Sequence, residues 1–144
     1  MPVAAVPTPL PQADIATDRL TITLPVPPSI NHQYATVNGR RVLSAVGRDY
    51  KTHVGHLIMV ALSRAPHREA LLRRVRSDYL ALSLQFYFQS PLRRDLDGGL
   101  KITQDAVAEA LGINDARIVE LHLFKALSTA QPRVICSLSP AAVK

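Results

Sequence analysis

An alternation of apolar and polar residues from Tyr79 to Gln89 is the feature that most narrows the possible folds. Its apolar members are Leu80, Leu82, Leu84, Phe86 and Phe88. Successive side chains of a strand point to opposite faces, so this period of two predicts a strand with one buried face. Pro91 has no backbone N–H to give to a sheet and ends the segment.

Other periodic segments extend this outline to a whole domain. Leu20, Ile22 and Leu24 alternate with threonines, which predicts another half-buried strand. Apolar residues recur at helical spacing after Ser44, a suitable N-cap, and again before Gly112, a residue type that often ends helices. The predicted elements are strands at 20–24, 79–89, 117–126 and 133–138, and helices at about 45–62 and 98–111. The order β-α-β-α-β-β favours an α/β (α+β) fold, a mixed β-sheet with helices packed on it.

Three segments lie outside these elements. Residues 1–18 contain four prolines and predict a flexible N-terminal arm ahead of a single domain over residues 19–144. Residues 29–41 predict a loop with a hairpin turn at Asn38-Gly39. Residues 64–76 are predicted to form a basic, partly helical connection.

Composition narrows the class of protein and its compartment. With 144 residues, 47% hydrophobic and 19% charged, the chain has the balance of one globular domain. It contains no run of 18 apolar residues and no leader pattern, so neither a membrane span nor secretion is expected. Its one cysteine, Cys136, fits a reducing compartment, and the cytoplasm is the expectation. A net charge of +6 and a pI near 10.0 favour nucleic acid as a partner, with solubility as the simpler alternative.

The residues that suggest a chemical function form a charged run between a predicted strand and a predicted helix: Arg93-Arg94-Asp95-Leu96-Asp97. Lys101 follows one helical turn later, and Asp115 comes in the loop after the helix. Carboxylate oxygens suit a hard divalent cation such as Mg²⁺, and arginines suit a phosphodiester. The first interpretation is therefore a metal-dependent nuclease. Helix capping by the aspartates, a simple Lys101–Asp105 pair and ordinary turn chemistry at Asn114-Asp115 are the alternatives.

At these residues the sequence resembles the RusA family of Holliday-junction resolvases. The similarity lies in Arg93-Arg94-Asp95-Leu96-Asp97, Leu100-Lys101, Asp105-Ala106, Ala110-Leu111, Asn114-Asp115 and Ile118-Val119. In the N-terminal half it lies in Ile22-Thr23-Leu24-Pro25, Pro27-Pro28-Ser29, Asn31, Tyr34, Ser44, Gly47 and Tyr50. It covers about residues 19–138.

The resemblance implies a RusA-like fold and a homodimeric endonuclease, dependent on Mg²⁺ or Mn²⁺, that nicks two opposed strands of four-way or other branched DNA in recombination and repair. It also implies that Asp95, Asp97 and Asp115 bind the metal and catalyse, and that Lys101 assists. Two positions depart from the family pattern. Gly98 stands where the family usually has Asn, and Asn114 where it often has an acid. A non-catalytic junction-binding protein and a generic basic domain are the alternatives.

Arginines before the acids and on neighbouring segments are expected to contact DNA phosphates. The set is Arg40, Arg41, Arg73, Arg74, Arg76, Arg93 and Arg94. Arg93 and Arg94 are the foremost members because they directly precede the acids. For the arginines within 64–76, a solvated helical edge is an equal alternative.

Overall fold

The computed structural model describes residues 12–126 and 131–142. The strands are β1 (Ala13–Ile15), β2 (Leu20–Leu24), β3 (Tyr34–Val37), β4 (Arg40–Leu43), β5 (Leu80–Tyr87), β6 (Ile118–Ala126) and β7 (Arg133–Pro140). The helices are α1 (Ile30–Gln33), α2 (Ala45–Ser63), α3 (Arg68–Ser77) and α4 (Leu100–Leu111), with short 3₁₀ turns at Pro91–Arg93 and Asp115–Arg117.

The main sheet has the strand order β1-β2-β7-β5-β6 and is mixed, as the sequence predicted. Strands β5 and β6 are parallel and are joined through α4, whereas the other neighbouring strands are antiparallel. Strands β3 and β4 pair with each other in a separate hairpin. No helix in the described part of the chain is both long and apolar enough to cross a membrane.

The core lies between one face of the sheet and helices α2, α3 and α4. Along β5 the residues of one face are fully buried, while Ser83 and Gln85 on the other face are only half-buried. The helical side chains that complete the core include Tyr50, Val54, Ile58, Leu71, Val75, Ile102, Val107 and Leu111. The alternation that predicted β5 therefore reflects a sheet covered by helices on one side.

Two helix boundaries predicted from single residues are confirmed. The Ser44 side chain accepts a hydrogen bond of 3.0 Å from the Gly47 N–H and so caps α2. Gly112 ends α4 in the left-handed conformation, with φ of 66°, which glycine adopts at low cost. Asn38 and Gly39 both have positive φ, as expected for the predicted hairpin turn.

Two expectations need correction and a third is confirmed. Order was expected to begin at residue 19, but Ala13–Ile15 pair with Leu20–Ile22 as edge strand β1. Residues 12–18 lack proline, so their N–H groups are available to the sheet; residues 1–11 of the predicted arm lie outside the described part. The segment 64–76 is partly helical, as predicted: α3 begins at Arg68, and Leu71 and Val75 bury one face of it against the core. Strand β7 is longer than predicted, since it pairs with both β2 and β5.

The direction of the strands determines which loops meet. Strands β2, β5 and β6 run the same way, so Leu24, Tyr87 and Ala126 lie at one end of the sheet, here called the carboxyl end. Leu80 and Ile118 pair at the opposite end, here called the amino end. The eight residues of β5 separate these ends by roughly 23 Å at a strand rise of about 3.3 Å per residue.

Candidate active site

The acid loop, defined as residues 91–99, leaves the carboxyl end of the sheet after β5 and leads into α4. Arg94 fixes its middle: the guanidinium stacks on the Phe88 ring at 4.5 Å and donates to the Pro27 carbonyl oxygen at 2.8 Å. Lys125 of β6 donates to the Arg94 carbonyl oxygen at 2.9 Å. These contacts join the loop to the neighbouring strand and to the segment after β2.

The far end of the acid loop is held by Gln33, which is fully buried. Its side-chain N–H₂ group donates to the carbonyl oxygens of Gly98, at 2.7 Å, and Pro28, at 2.8 Å. A Cβ atom on Gly99 would lie 2.5 Å from Pro27 Cγ, so glycine allows the close approach of these two segments. The sequence gives no local signal for the role of Gln33, because its partners are distant along the chain.

Asp95 and Asp97 both lie in this loop, two residues apart, and both are exposed. Their carbonyl oxygens accept turn hydrogen bonds from Gly98 and Leu100. Within the described residues, neither carboxylate forms a hydrogen bond or an ion pair. Both therefore remain available to a cation, and neither caps a helix with its side chain.

Lys101 lies in the first turn of α4, with its side chain 72% exposed. It forms an ion pair of 3.2 Å with Asp105 rather than with Asp97, because the helix begins only at Leu100. The hydrogen bond to Asp105 raises the pKa of Lys101, with further contributions from the charges of Asp105, Tyr34 and Asp115. Lys101 is therefore protonated at neutral pH.

Asp115 lies in the 3₁₀ turn ahead of β6, at the amino end of the sheet. Asn114 caps this turn by accepting from the Ala116 N–H at 2.9 Å. Asp115 lines a shallow depression with Asp105, Glu109 and Asn114, and Glu109 is paired with Lys51 at 2.6 Å. The acid loop lies at the other end of the sheet, so one chain does not bring Asp115 to Asp95 and Asp97. Over residues 12–126 and 131–142, no three His, Cys, Asp or Glu side chains are grouped closely enough to hold a metal ion.

The arginines predicted to contact DNA differ in their availability. Arg76 donates from Nε to the Leu111 carbonyl oxygen at 3.1 Å and packs over Gly112, and Arg74 pairs with Asp78 at 2.9 Å. Arg94 is engaged within the acid loop, and burial lowers its pKa from the ordinary value. Arg74 and Arg76 are exposed but engaged in these contacts, whereas four other exposed members form no side-chain hydrogen bond or ion pair within the described residues: Arg40, Arg41, Arg73 and Arg93.

Comparison with known proteins identifies the family of this chain. The family model described as Endodeoxyribonuclease RusA matches residues 25–139. The chain belongs to the RusA family.

Individual RusA proteins agree with that assignment. The crossover junction endodeoxyribonuclease RusA of Escherichia coli strain K12 is 30% identical over 106 residues, which cover 73% of this chain and 81% of that protein. The protein of the same name from Shigella sonnei strain Ss046 has the same identity and coverage. The crossover junction endodeoxyribonuclease of Enterobacteria phage 82 is 30% identical over 105 residues, covering 72% of this chain and 80% of its own length. The RusA family match includes the hairpin, the acid loop, α4 and Asp115.

Proposed function

We propose that this protein is a crossover junction endodeoxyribonuclease, which resolves Holliday junctions and other branched DNA by hydrolysing phosphodiester bonds. The observation that carries the proposal is the pair of free carboxylates, Asp95 and Asp97, on a loop fixed by Arg94, Lys125 and Gln33 in a member of the RusA family. This loop follows a parallel strand, at the end of a sheet where ligands of α/β proteins usually bind.

A divalent cation, Mg²⁺ with Mn²⁺ as the second choice, is the proposed cofactor. Asp95 and Asp97 would hold it, since exposed carboxylates are the oxygen ligands that Mg²⁺ accepts, commonly one or two per ion beside water and phosphate. Such an ion supplies a nucleophilic water at neutral pH and offsets charge on the scissile phosphate. Lys101, protonated and close to the acid loop along α4, adds a positive charge for the phosphate.

Asp115 is the proposed third ligand, contributed from a second copy of the chain. Strand β6 has no strand on its outer side within the described residues, and it exposes Val119, Leu121 and Phe124. Natural proteins usually cover or charge such an edge. Antiparallel pairing of β6 with β6 of a second copy would bring the amino end of one strand to the carboxyl end of the other. The Asp115 of each copy would then approach the acid loop of its partner, which supports a homodimer with two composite sites.

Paired cleavage follows from that arrangement. A twofold dimer presents the same surface twice, which matches the pseudo-twofold symmetry of a four-way junction. The proposed phosphate contacts are Arg93, Arg40, Arg41 and Arg73, because their side chains are exposed and form no hydrogen bond or ion pair within the described residues. The engaged Arg94 serves mainly to position the acid loop. A DNA-cleaving activity is also consistent with the expected location in the cytoplasm. The protein would be encoded by a bacterium or by a phage.

Incubation with a synthetic four-way junction and Mg²⁺ tests the proposal. The wild type should cut two opposed strands and leave a linear duplex of the same sequence intact. Asp115→Asn should abolish cleavage while junction binding persists or tightens, because a negative charge near phosphate is removed. Cleavage that survives this substitution would contradict the role of Asp115.

Gly98 and Asn114 favour a second candidate, a junction-binding protein without activity, since glycine offers no side-chain ligand and Asn lacks the charge of an acid. Tight junction binding by the wild type without cuts, in Mg²⁺ and in Mn²⁺, would establish that candidate instead.

A further inference from the structure

The β3–β4 hairpin is a separate two-stranded unit that stands apart from the main sheet. Residues 35–42 are all exposed, so the hairpin beyond its base contributes little to the core. Its base is nevertheless fixed: Leu43 packs partly on the core, and Gln33, next to the first hairpin residue, holds the acid loop through Gly98. The hairpin is thus an exposed element whose base is attached directly to the candidate active site.

The two faces of the hairpin differ in chemistry. Register pairs Thr36 with Arg41 on one face, together with Tyr34, and the Arg41 guanidinium stacks on the Tyr34 ring at 4.6 Å. On the other face Val37 pairs with Arg40, and Ala35 pairs with Val42. Val37 is 51% exposed and Val42 38% exposed, so this second face is an aliphatic surface open to solvent.

The charge of the hairpin fits a nucleic-acid partner. Residues 29–48 contain Arg40, Arg41 and Arg48 and no Asp or Glu. Within the described residues, Arg40 forms no hydrogen bond or ion pair. Apolar side chains flanked by basic ones are the combination that proteins place against interrupted base stacking, with the cations on the adjacent phosphates.

We propose that the β3–β4 hairpin recognises the branch point of the DNA, with Arg40 and Arg41 on backbone phosphates and Val37 and Val42 against base pairs whose stacking the branch interrupts. This inference rests on the proposed function and deepens it. The hairpin supplies selectivity for branched over linear DNA, and the Gln33–Gly98 hydrogen bond couples the bound branch to the acid loop. A linear duplex has backbone phosphates but no point where base stacking is interrupted. Only Arg40 and Arg41, and not Val37 and Val42, would therefore contact a linear duplex.

Two double variants test separately the contribution of the arginines to phosphate binding and that of the valines to recognition of interrupted base stacking. Arg40→Ala with Arg41→Ala should weaken binding to both a four-way junction and a linear duplex about tenfold, and should lower the slope of log K against log salt by about 2 for each hairpin that contacts the DNA. Val37→Ser with Val42→Ser should weaken junction binding severalfold, while duplex affinity and the salt slope stay unchanged. Fluorescence anisotropy without divalent metal measures both affinities, and thermal melting verifies that each variant is folded.

Arg19→Ala with Arg64→Ala is the matched control, because it removes the same charge from exposed positions away from the hairpin and the acid loop. It should leave the ratio of duplex to junction dissociation constants at the wild-type value. If the wild type prefers the junction and both hairpin variants keep that preference and affinity, the hairpin proposal is wrong while the proposed function stands. A wild type that neither prefers nor cuts the junction would overturn both.

Discussion

Arg93 and Arg94 are adjacent in the chain, yet they have different surroundings. Arg93 is exposed, whereas Arg94 stacks on Phe88 and donates to the Pro27 carbonyl oxygen. The difference cannot be read from residue type, because it depends on a strand and a loop that are distant in sequence. A guanidinium that binds a carbonyl oxygen in a half-buried position acts mainly as a structural support for Asp95.

Substitution of the free carboxylates tests the acid loop at the scale of single residues. Asp95→Asn and Asp97→Asn should each lower junction cleavage by about 100-fold or more, since an amide is a poorer ligand for a divalent cation. Stability should change by less than about 0.5 kcal/mol because both side chains are exposed. Cleavage rates and urea unfolding are the measurements. Asp18→Asn, an exposed change outside the loop, should leave cleavage unchanged.

The buried thiol gives a prediction for high pH. Burial raises the pKa of Cys136 from its ordinary value of 9.0 to about 12. The folded state therefore holds this proton more tightly than the unfolded state. Its contribution to stability is complete below pH 9 and is lost as pH rises toward 12, by up to about 1.4 kcal/mol per pH unit.

Urea unfolding from pH 8 to pH 11 measures this loss, with Cys136→Ala as the comparison. The variant should be less stable at pH 8, because a cavity forms, but should lose less stability with rising pH. Tyr50, whose pKa is raised mainly by burial, is present in both proteins; the charge of Cys136 adds to that shift, so the substitution also removes this smaller part of the Tyr50 contribution. Equal pH slopes in the two proteins would contradict the assignment to Cys136.

At the scale of elements, the long periodic segments were predictable and the short ones were not. Helix α2 and strand β5 follow from repeated apolar spacing, and Ser44 and Gly112 locate two helix ends. Strand β1 has three residues, too few for periodicity to be visible. Helix α3 is rich in arginine, and only the buried Leu71 and Val75 identify its inner face.

The candidate site was predictable only where it is local. Asp95 and Asp97 are two residues apart, so their proximity follows from the chain itself. The position of Asp115 depends instead on strand direction: α4 returns the chain to the amino end of the sheet before β6 begins. The contacts made by Gln33 and Lys125 arise from packing between distant segments, and no local pattern marks them.

Replacing each of two glycines by alanine is expected to change the stability of the protein in opposite directions. Gly112→Ala should destabilise the protein by about 1–2 kcal/mol, because Gly112 has φ of 66° and a Cβ there would meet the Arg76 guanidinium at 3.2 Å. Gly55→Ala should stabilise it by about 0.5–1 kcal/mol, since Gly55 lies inside α2 and a Cβ there meets nothing within 4 Å. Urea unfolding measures both changes, and equal signs would contradict the reasoning.

At the scale of the whole molecule, the composite site predicts complementation between two inactive variants. Asp115→Asn and the double variant Asp95→Asn/Asp97→Asn should each fail to cut a junction alone. In a mixed dimer, one site combines the intact acid loop of the first chain with the intact Asp115 of the second. Mixing the two proteins should therefore restore nicking of one strand per junction, as resolved on a denaturing gel.

The outcome distinguishes two arrangements of the carboxylates. If each chain builds its site alone, every site in the mixed dimer lacks either Asp115 or the acid-loop pair, and mixing restores nothing. The control is a mixture of Asp115→Asn with Asp115→Asn/Lys101→Ala, which should stay inactive under both arrangements. Analytical ultracentrifugation of each variant verifies that dimers form.

The placement of the acids at the two ends of one sheet also bears on how activity depends on concentration. Under the proposed arrangement a single copy carries two carboxylates at one end and the third at the other, so an isolated chain has no complete site. Activity would then rise with the square of protein concentration below the dimer dissociation constant and linearly above it. A cell making few copies would hold mostly inactive chains, and its DNA would be exposed to cutting only after production had risen.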